Sequence, residues 1–385
     1  MKKFNINTPV GFRDYFLQDM AKKNKMELML SDLFIGSGYN FIETPTLEYI
    51  DVFTKDMHKK NLYKLINKDG EILALKSDIT KSIARVVSTQ TKNLVFPQRF
   101  CYITNVFRYP KAYQAKQHEF TQAGIELIGC DGIYADYEII RLACKSLNMI
   151  LNDYRLHISS IEFFNNYLDD LNVSGQTKKK ILEEIKKKNV VRIKELLDKS
   201  SYETISLILE AIGKRDLLIE IKNDIKNAKT LSSLSKLEKL YDLLEENGLS
   251  ENVYFDFSIL SFGDYYTGIT LQGYTDGIGS SILEGGRYDN LISHFGERKS
   301  ACGFAININD LIEKTAITYD QNIILLFSVH KENLYRFQKD NYLISLENNL
   351  DNALNYALAN NIKTVIDCDN KKKYIFEGGK YICQK

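Results

Sequence analysis

Apolar and polar positions at the start of the chain follow first a helical period and then a strand period. Residues 15–38 carry apolar side chains every three or four positions and end at Gly36 and Gly38, which predicts one long helix. Residues 39–44 are aromatic and β-branched and stop at Pro45, which cannot donate to a sheet ladder. A helix followed by a strand at a sheet edge is therefore predicted.

Three pairs of short strands follow, each joined by a polar or glycine-containing turn. A helix is predicted over residues 287–294, after Gly285 and Gly286. Sequential antiparallel strands with helices to one side indicate an α+β fold, an antiparallel sheet flanked by helices, and argue against a doubly wound parallel sheet. The predicted pairs are 63–66 with 71–75, 99–108 with 118–128, and 265–274 with 278–283.

A helical insertion is predicted where the composition changes to Lys, Glu, Leu, Ile and Ser without strand alternation. Residues 200–203 have capping-box spacing ahead of an apolar run at 205–212, and residues 231–246 form a helical stretch closed by Gly248. The lysine-rich segment 178–188 is interrupted by glutamates and has its apolar residues on one face. We interpret it as the solvated face of a helix and not as a nucleic-acid site.

The C-terminal residues predict a small α/β domain. An apolar strand is expected at 323–329, a helix at 343–359 and a second strand at 364–367, followed by a short polar end. The predicted domains are 1–170 and 253–315, which form the two parts of one core, the insertion 171–252, and the C-terminal domain 316–385.

The composition supports a globular protein and excludes several classes. At 385 residues the chain exceeds the roughly 250–300 residues at which single cores stop growing. With 51 Lys and Arg against 50 Asp and Glu, it lacks the basic excess of an obligate nucleic-acid binder. The six cysteines include no C-x-x-C pair and are expected to be small buried hydrophobes. Without an apolar run of about 18 residues, a soluble cytoplasmic protein with no membrane contact is predicted.

The common catalytic motifs are absent, including the phosphate loop, H-E-x-x-H and G-x-S-x-G. The five histidines lack ligand spacing, so neither a metal nor a cofactor is predicted. Gly277 and Gly279 begin like a dinucleotide fingerprint, but Ile282 occupies the third glycine position and the segment is predicted to be a hairpin.

The strand at residues 118–128 carries the most informative polar pattern. Alternation places Gln122, Gly124 and Glu126 on one face of this strand. An amide and a carboxylate beside a bare glycine could hold a small polar ligand, because a strand glycine permits close approach. A solvent-facing sheet side with a bulge glycine explains the same residues and stays open as the alternative.

About residues 5–315 resemble the catalytic core of class II aminoacyl-tRNA synthetases, specifically histidyl-tRNA synthetase. The resemblance implies an antiparallel core sheet, a homodimer formed through the first motif, and a histidine pocket. Five segments in the family's order carry it: residues 8–14 at the opening, 38–45 as motif 1, 107–108 with 119–126 as motif 2, and 264–268 and 285–289 as the two histidine-specific motifs.

Three positions that handle ATP in the family depart from its pattern. Asp310 stands at the motif 3 arginine, Pro110 at the adenine-contacting glutamate of motif 2, and Ser261 at the arginine that activates the histidine carboxylate. Asp310 in place of that arginine would put a negative charge beside the triphosphate of ATP. Such a like-charge contact at about 4 Å costs roughly 4 kcal/mol at an effective dielectric of 20. The resemblance therefore implies that this chain has lost the ATP site and has no synthetase activity of its own.

The histidine-binding positions fit the family better. By the resemblance, Arg108 faces the ligand carboxylate, Asp78 and Thr80 face the amino group, and Gln122 assists. The family has Arg-Pro-Glu where this chain has Lys-Ser-Asp at residues 76–78, so the amino-group contact departs most from the pattern. The predicted histidine-binding set is Asp78, Thr80, Arg108, Gln122, Glu126, Tyr265, Tyr266, Arg287 and Tyr288, of which Glu126, Tyr266 and Tyr288 surround the imidazole.

A histidine pocket without an ATP site, on a chain with a short tail, resembles the regulatory subunits of ATP phosphoribosyltransferase. This resemblance implies a non-catalytic protein that assembles with the short-form catalytic subunit of the first step of histidine biosynthesis and takes part in feedback inhibition by free histidine. The implied partners are that subunit, a second copy of the chain and histidine, without tRNA. A divergent histidyl-tRNA synthetase or related amino-acid ligase is the alternative, and a tRNA-binding module without chemistry is a third hypothesis.

Overall fold

The structure, a computed structural model, divides into two compact units, Met1–Ile317 and Thr318–Lys385. The first unit contains a nine-stranded and a three-stranded sheet, and the second contains a five-stranded sheet. The described residues are 6–53, 61–91, 93–109, 117–171, 173–260, 265–317, 322–336 and 340–384.

The first unit alternates strands of the core with helices that cover one sheet face. Its helices are α1 (Leu17–Gly36), α2 (Ile79–Gln90), α3 (Ile133–Ile150), α4 (Ile161–Asp170), α5 (Gly175–Lys186), α6 (Val190–Leu196), α7 (Lys199–Glu210), α8 (Arg215–Asp224), α9 (Ala228–Glu246) and α10 (Ile308–Leu311). Its strands are β1 (Asn40–Phe41), β2 (Leu47–Tyr49), β3 (Lys64–Ile66), β4 (Ile72–Leu75), β5 (Gln98–Phe107), β6 (Glu119–Ile128), β7 (Arg155–Ser160), β8 (Ile212–Gly213), β9 (Val253–Asp256), β10 (Ile269–Tyr274), β11 (Leu283–Arg287) and β12 (Ala301–Asn307).

The large sheet has the order β1-β5-β6-β12-β11-β10-β7-β9-β8. Its six central strands, β5 to β7 in this order, pair antiparallel, while β1 joins β5 and β9 joins β7 in parallel. The predicted α+β class is confirmed, because the central sheet is antiparallel and its neighbouring strands include the predicted pair β5 and β6. β3 and β4 confirm the predicted hairpin of residues 63–66 and 71–75, which lies in the small sheet.

One face of the large sheet is apolar and packs against helices. On β6, Ala123, Ile125 and Leu127 are fully buried in the main core, which also contains Met26 and Leu30 of α1. Strand periodicity then places the intervening residues of β6 on the opposite face. Gln122 and Glu126, which are predicted to bind a ligand, lie on that second face.

The predicted helix at residues 287–294 is wrong. Gly285, Gly286 and Arg287 belong to β11, which is hydrogen-bonded on both sides, to β10 and to β12. Only a short 3-10 turn, Ile292–His294, follows. A Cβ at residue 286 would overlap the Ile269 carbonyl oxygen, so glycine at this position allows the neighbouring strand to approach closely.

The insertion contains the helices α5 to α9 and the short strand β8. The helix that ends before Gly248 is confirmed as α9, and Gly248 has a positive φ of 67°. In α5, Ile181 and Ile185 are buried while Lys179 and Lys180 are exposed, which confirms the interpretation of this segment as a helix with a solvated face. The capping prediction at 200–203 is wrong: Asp198 caps α7, and its Oδ1 accepts from the backbone N–H of Ser201 at 3.0 Å.

The second unit is a small α/β sheet with the order β14-β13-β15-β16-β17. The predicted strands at 323–329 and 364–367 are confirmed, but the predicted helix begins later because its first residues form β14, parallel to β13. The short polar end, for which no element was predicted, forms an antiparallel hairpin. The elements are β13 (Ile324–Phe327), β14 (Tyr342–Ile344), α11 (Leu350–Ala359), β15 (Thr364–Asp367), β16 (Lys372–Glu377) and β17 (Lys380–Gln384).

Candidate ligand-binding site

A cavity on the polar face of the large sheet collects eight of the nine residues predicted to bind histidine. Its volume is about 40 Å³, and it lies over β6, β12 and β11 beside the start of α2. We call it the Glu126 cavity. The predicted residues that line it are Asp78, Thr80, Arg108, Gln122, Glu126, Tyr265, Tyr266 and Tyr288, and Glu284, Gly285, Gly303, Phe304 and Ala305 complete it.

The floor of the cavity is set by strand register. Glu126 lies opposite Gly303 of β12, and a Cβ on that glycine would overlap the Glu126 carboxylate. Glu126 is 1% exposed and Gln122 is 9% exposed, so this side of β6 does not face solvent. Gly124 has a different use from the one predicted. The buried Tyr102 fills the space where its side chain would be, so the glycine accommodates a core tyrosine.

The Glu126 carboxyl group is held by two hydroxyl groups. Thr80 Oγ1 donates to its Oε1 at 2.6 Å, and the Tyr288 hydroxyl donates to its Oε2. Burial raises the pKa of Glu126 to about 8, and the nearby Asp78 carboxylate adds to the rise, although the Thr80 and Tyr288 hydrogen bonds oppose it. Without a ligand, this carboxyl group therefore keeps its proton at neutral pH.

The raised pKa predicts a pH-dependent stability that Glu126→Gln should remove. A free glutamate ionises near 4.5, so between pH 4.5 and 8 the unfolded chain releases this proton while the folded chain retains it. The free energy of unfolding should then fall as the pH rises, by about 1.4 kcal/mol per pH unit from this group. Urea unfolding at pH 5 and pH 8 measures the slope, which Gln122→Asn in the same cavity should leave unchanged. An equal slope in Glu126→Gln and the wild type would contradict the prediction.

The N-terminus of α2 and Arg108 form the polar wall of the cavity. Asp78 is the N-cap of α2, and its Oδ1 accepts from the backbone N–H of Thr80 at 2.8 Å. The Arg108 Nε donates to the Ser77 carbonyl at 2.8 Å, and its guanidinium lies 5.3 Å from the centre of the Phe120 ring. These two contacts of Arg108 orient its positively charged guanidinium beside the cavity.

Three tyrosines form the aromatic wall. The rings of Tyr265 and Tyr266 lie 4.7 Å apart, and Tyr288 meets Tyr265 edge-on at 5.9 Å. Burial raises the pKa of all three phenols, so they remain neutral hydrogen-bonding groups. The wall therefore suits a flat, polar ring.

Arg287 is the predicted residue that the structure does not bring into the cavity. Its guanidinium turns to α3, where it contacts the Asp136 carboxylate at 2.7 Å, and it also pairs with Asp289 at 3.1 Å. These contacts tie β11 to the helical layer. We therefore correct its predicted role from ligand contact to scaffold.

The predicted ATP-site departures are only partly within the described residues. Asp310 lies in α10, where its carboxylate accepts from the Asn307 amide at 2.6 Å. Pro110 and Ser261 lie outside the described residues, as does Asp264 of the first histidine-specific motif.

Sequence reasoning missed one charged residue of the cavity. Glu284 of β11 lies opposite Ala305 of β12, and its carboxylate accepts from Ser281 Oγ at 2.5 Å. Continued alternation over residues 283–287 could have placed Glu284 on the polar sheet face. The glycine pair at residues 285–286 instead indicated the end of the strand. Glu284 adds a second acidic side chain from the sheet to this cavity.

Within the described ranges, no group of three or more His, Cys, Asp or Glu side chains is placed to hold a metal ion. Of the helices in those ranges, none combines the length and the apolar composition that a bilayer span requires.

Comparison with known proteins gives one consistent result. The family model described as histidyl-tRNA synthetase matches residues 11–311. An ATP phosphoribosyltransferase regulatory subunit of Clostridium kluyveri is 37% identical over 79% of this chain and 81% of its own length. That of Ruminiclostridium cellulolyticum is 33% identical over 98% and 96%. A crystal structure described as an ATP phosphoribosyltransferase regulatory subunit/histidyl-tRNA synthetase from Bacillus halodurans is 29% identical, has a TM-score of 0.79, and covers 95% of this chain and 99% of its own.

Proposed function

We propose that this chain, which belongs to the histidyl-tRNA synthetase family and within it to the ATP phosphoribosyltransferase regulatory subunits, is the non-catalytic regulatory subunit of an ATP phosphoribosyltransferase in histidine biosynthesis. The observation that supports the proposal is the Glu126 cavity, which brings together eight of the residues predicted to bind an amino acid. By the resemblance, Asp310 stands at the family's phosphate-binding arginine. Reconstitution with a short-form catalytic subunit tests it. The cytoplasmic location and the absence of tRNA binding stay predictions.

The ligand we propose for the Glu126 cavity is free histidine. Its carboxylate would pair with Arg108, its amino group would meet Asp78 and Thr80, and its imidazole would lie between Glu126 and the tyrosine wall. The arrangement supplies an acceptor or donor for each polar group of the ligand. At about 40 Å³ the cavity holds only a few water molecules, so histidine binding has to be accompanied by movement of lining side chains.

The isolated chain should not form histidyl-adenylate. Pyrophosphate exchange into ATP that depends on histidine should stay at background, because Asp310, Pro110 and Ser261 replace groups that bind and polarise ATP. Asp310→Arg alone should not restore exchange, since such groups act as a unit. A histidyl-tRNA synthetase assayed in parallel is the positive control. Robust exchange by this chain would favour the divergent-ligase alternative.

The chain should be a homodimer through the region around residues 39–45. The edge strand β1 and the helix α1 expose apolar side chains there: Leu28 is 62%, Ile35 54% and Phe41 49% exposed. Large exposed apolar patches mark interaction surfaces. Light scattering at micromolar concentration should therefore give about twice the 44.4 kDa of one chain.

Phe41→Asp should shift this protein to the monomer, because a charge placed in an apolar interface loses its hydration without gaining a partner. Leu207→Asp is the matched control, since Leu207 is 64% exposed on α7 of the insertion. Loss of the dimer should also abolish assembly with the catalytic subunit. A wild-type monomer, or a Phe41→Asp dimer, would count against this interface.

A further inference from the structure

A second and larger cavity, of about 320 Å³, lies on the same polar sheet face as the Glu126 cavity. We call it the His157 cavity. Arg155 and His157 of β7 lie opposite Tyr274 and Gln272 of β10, and His157 lies opposite Tyr254 of β9. The turn after α5 contributes Lys188 from the insertion. The cavity therefore forms where the insertion meets the end of the sheet.

His157 is held in one orientation by a buried carboxylate. Its Nδ1 lies 2.9 Å from Asp256 Oδ2, and Asp256 Oδ1 accepts from the backbone N–H of Ser258 at 2.9 Å and from its hydroxyl at 2.6 Å. Burial alone would raise the pKa of Asp256, but the hydrogen bonds with His157 and Ser258 hold this pKa below its ordinary value. Nδ1 thus carries a hydrogen, and no side chain of the described residues bonds the other ring nitrogen, Nε2.

Aromatic rings support the imidazole on two sides. The centre of the Tyr274 ring lies 5.3 Å and that of Tyr254 6.0 Å from the His157 ring. The pair of His157 and Asp256 connects β7 to β9 over a sequence separation of 99 residues. An acceptor nitrogen fixed in this way at a cavity wall is positioned to bind a ligand donor.

Charged groups of both signs line the His157 cavity. Arg155 and Lys188 supply two cations, and Asp153 and Asp276 supply two carboxylates. Across the described part of the chain, none of these four side chains takes part in an ion pair. A ligand of one sign would be attracted by one pair and repelled by the other, whereas a ligand that carries both signs finds a partner for each.

We propose that the His157 cavity binds a free amino acid. The ligand carboxylate lies toward Arg155 and Lys188, and its ammonium group lies toward Asp276, with the Nε2 of His157 accepting a hydrogen bond. The cavity falls in the roughly 300–1,000 Å³ range of small-molecule sites. The proposal is independent of the ligand in the Glu126 cavity, since the two cavities share no lining residue.

Each of the twenty proteinogenic L-amino acids at millimolar concentration is the probe. Thermal unfolding of the full-length chain identifies those that bind, and calorimetry gives their Kd. Both are repeated in Glu126→Ala, which impairs the first cavity; the wild-type data suffice if this variant does not fold. The test variants are Arg155→Gln and Asp276→Asn, both exposed.

Matched controls exist for both variants. Asp69→Asn changes an aspartate that, like Asp276, precedes a turn glycine of positive φ, and Arg192→Gln changes an exposed arginine of the insertion. At least one amino acid should bind, with a Kd that rises about tenfold or more in each test variant. In the two control variants the Kd should stay within about twofold of the wild-type value.

Three results would overturn the proposal. In the first, no amino acid binds. In the second, Arg155→Gln weakens binding while Asp276→Asn does not, which describes an anion site. In the third, binding is lost in Glu126→Ala but survives Arg155→Gln, which assigns all binding to the first cavity.

Discussion

Adding this chain to a short-form ATP phosphoribosyltransferase catalytic subunit from the same organism should raise the activity of that subunit by about tenfold or more, which corresponds to a decrease of about 1.4 kcal/mol or more in its activation barrier. In the proposed regulatory role, this chain would act on the activity of the catalytic subunit by assembling with it. Activity and mass are measured together on the mixture. The mass measurement should show a complex of the two chains, and this complex should form at the same mixing ratio at which the activity rises.

Histidine should then lower the activity of the complex. Linkage requires that any effect of histidine on assembly be mirrored by an equal effect of assembly on histidine affinity, so the two titrations must give the same coupling energy. The Phe41→Asp variant serves as the control that lacks the dimer. Full activity of the catalytic subunit alone, or failure of the two chains to associate, would defeat the regulatory proposal.

Replacing Glu126 by alanine should weaken histidine binding by about 2–4 kcal/mol, or roughly 30- to 1,000-fold in Kd. Glu126 is 1% exposed, and an imidazole N–H buried beside it would lose its hydrogen-bond partner. Calorimetry on the isolated chain measures the effect. Glu119→Ala is the matched control, because it changes a glutamate at the start of the same strand that does not line the cavity.

The same variant separates histidine sensing from assembly. A complex made with Glu126→Ala should still be activated, but its inhibition should require histidine concentrations higher by the factor found in Kd. Absence of histidine binding to the wild-type chain, or binding that Glu126→Ala leaves intact, would leave only a scaffold role. Unchanged inhibition of the complex would place the inhibitory site outside this cavity.

Much of the fold and part of the cavity were predictable because their determinants are local. The pairing of β5 with β6 follows from two alternating segments and a polar connection, and alternation alone places Gln122 and Glu126 on one face. The resemblance in residue order then assigned eight residues that the structure brings into one cavity. The same local logic failed at β14, where the pairing with β13 determined the strand and the apolar pattern was mistaken for helix.

Sequence alone determined the fold class and the strand alternation, because each depends on residue type at a known spacing. That Asp310 replaces a phosphate-binding arginine stays a prediction from the family resemblance. Tertiary structure decided the rest. Residues 285–287 became a strand only because β10 and β12 pair with them on both sides, and that placement directs Arg287 to Asp136. The proton on Glu126 and the contact between His157 and Asp256 likewise depend on burial and on neighbours distant in sequence, which no local pattern encodes.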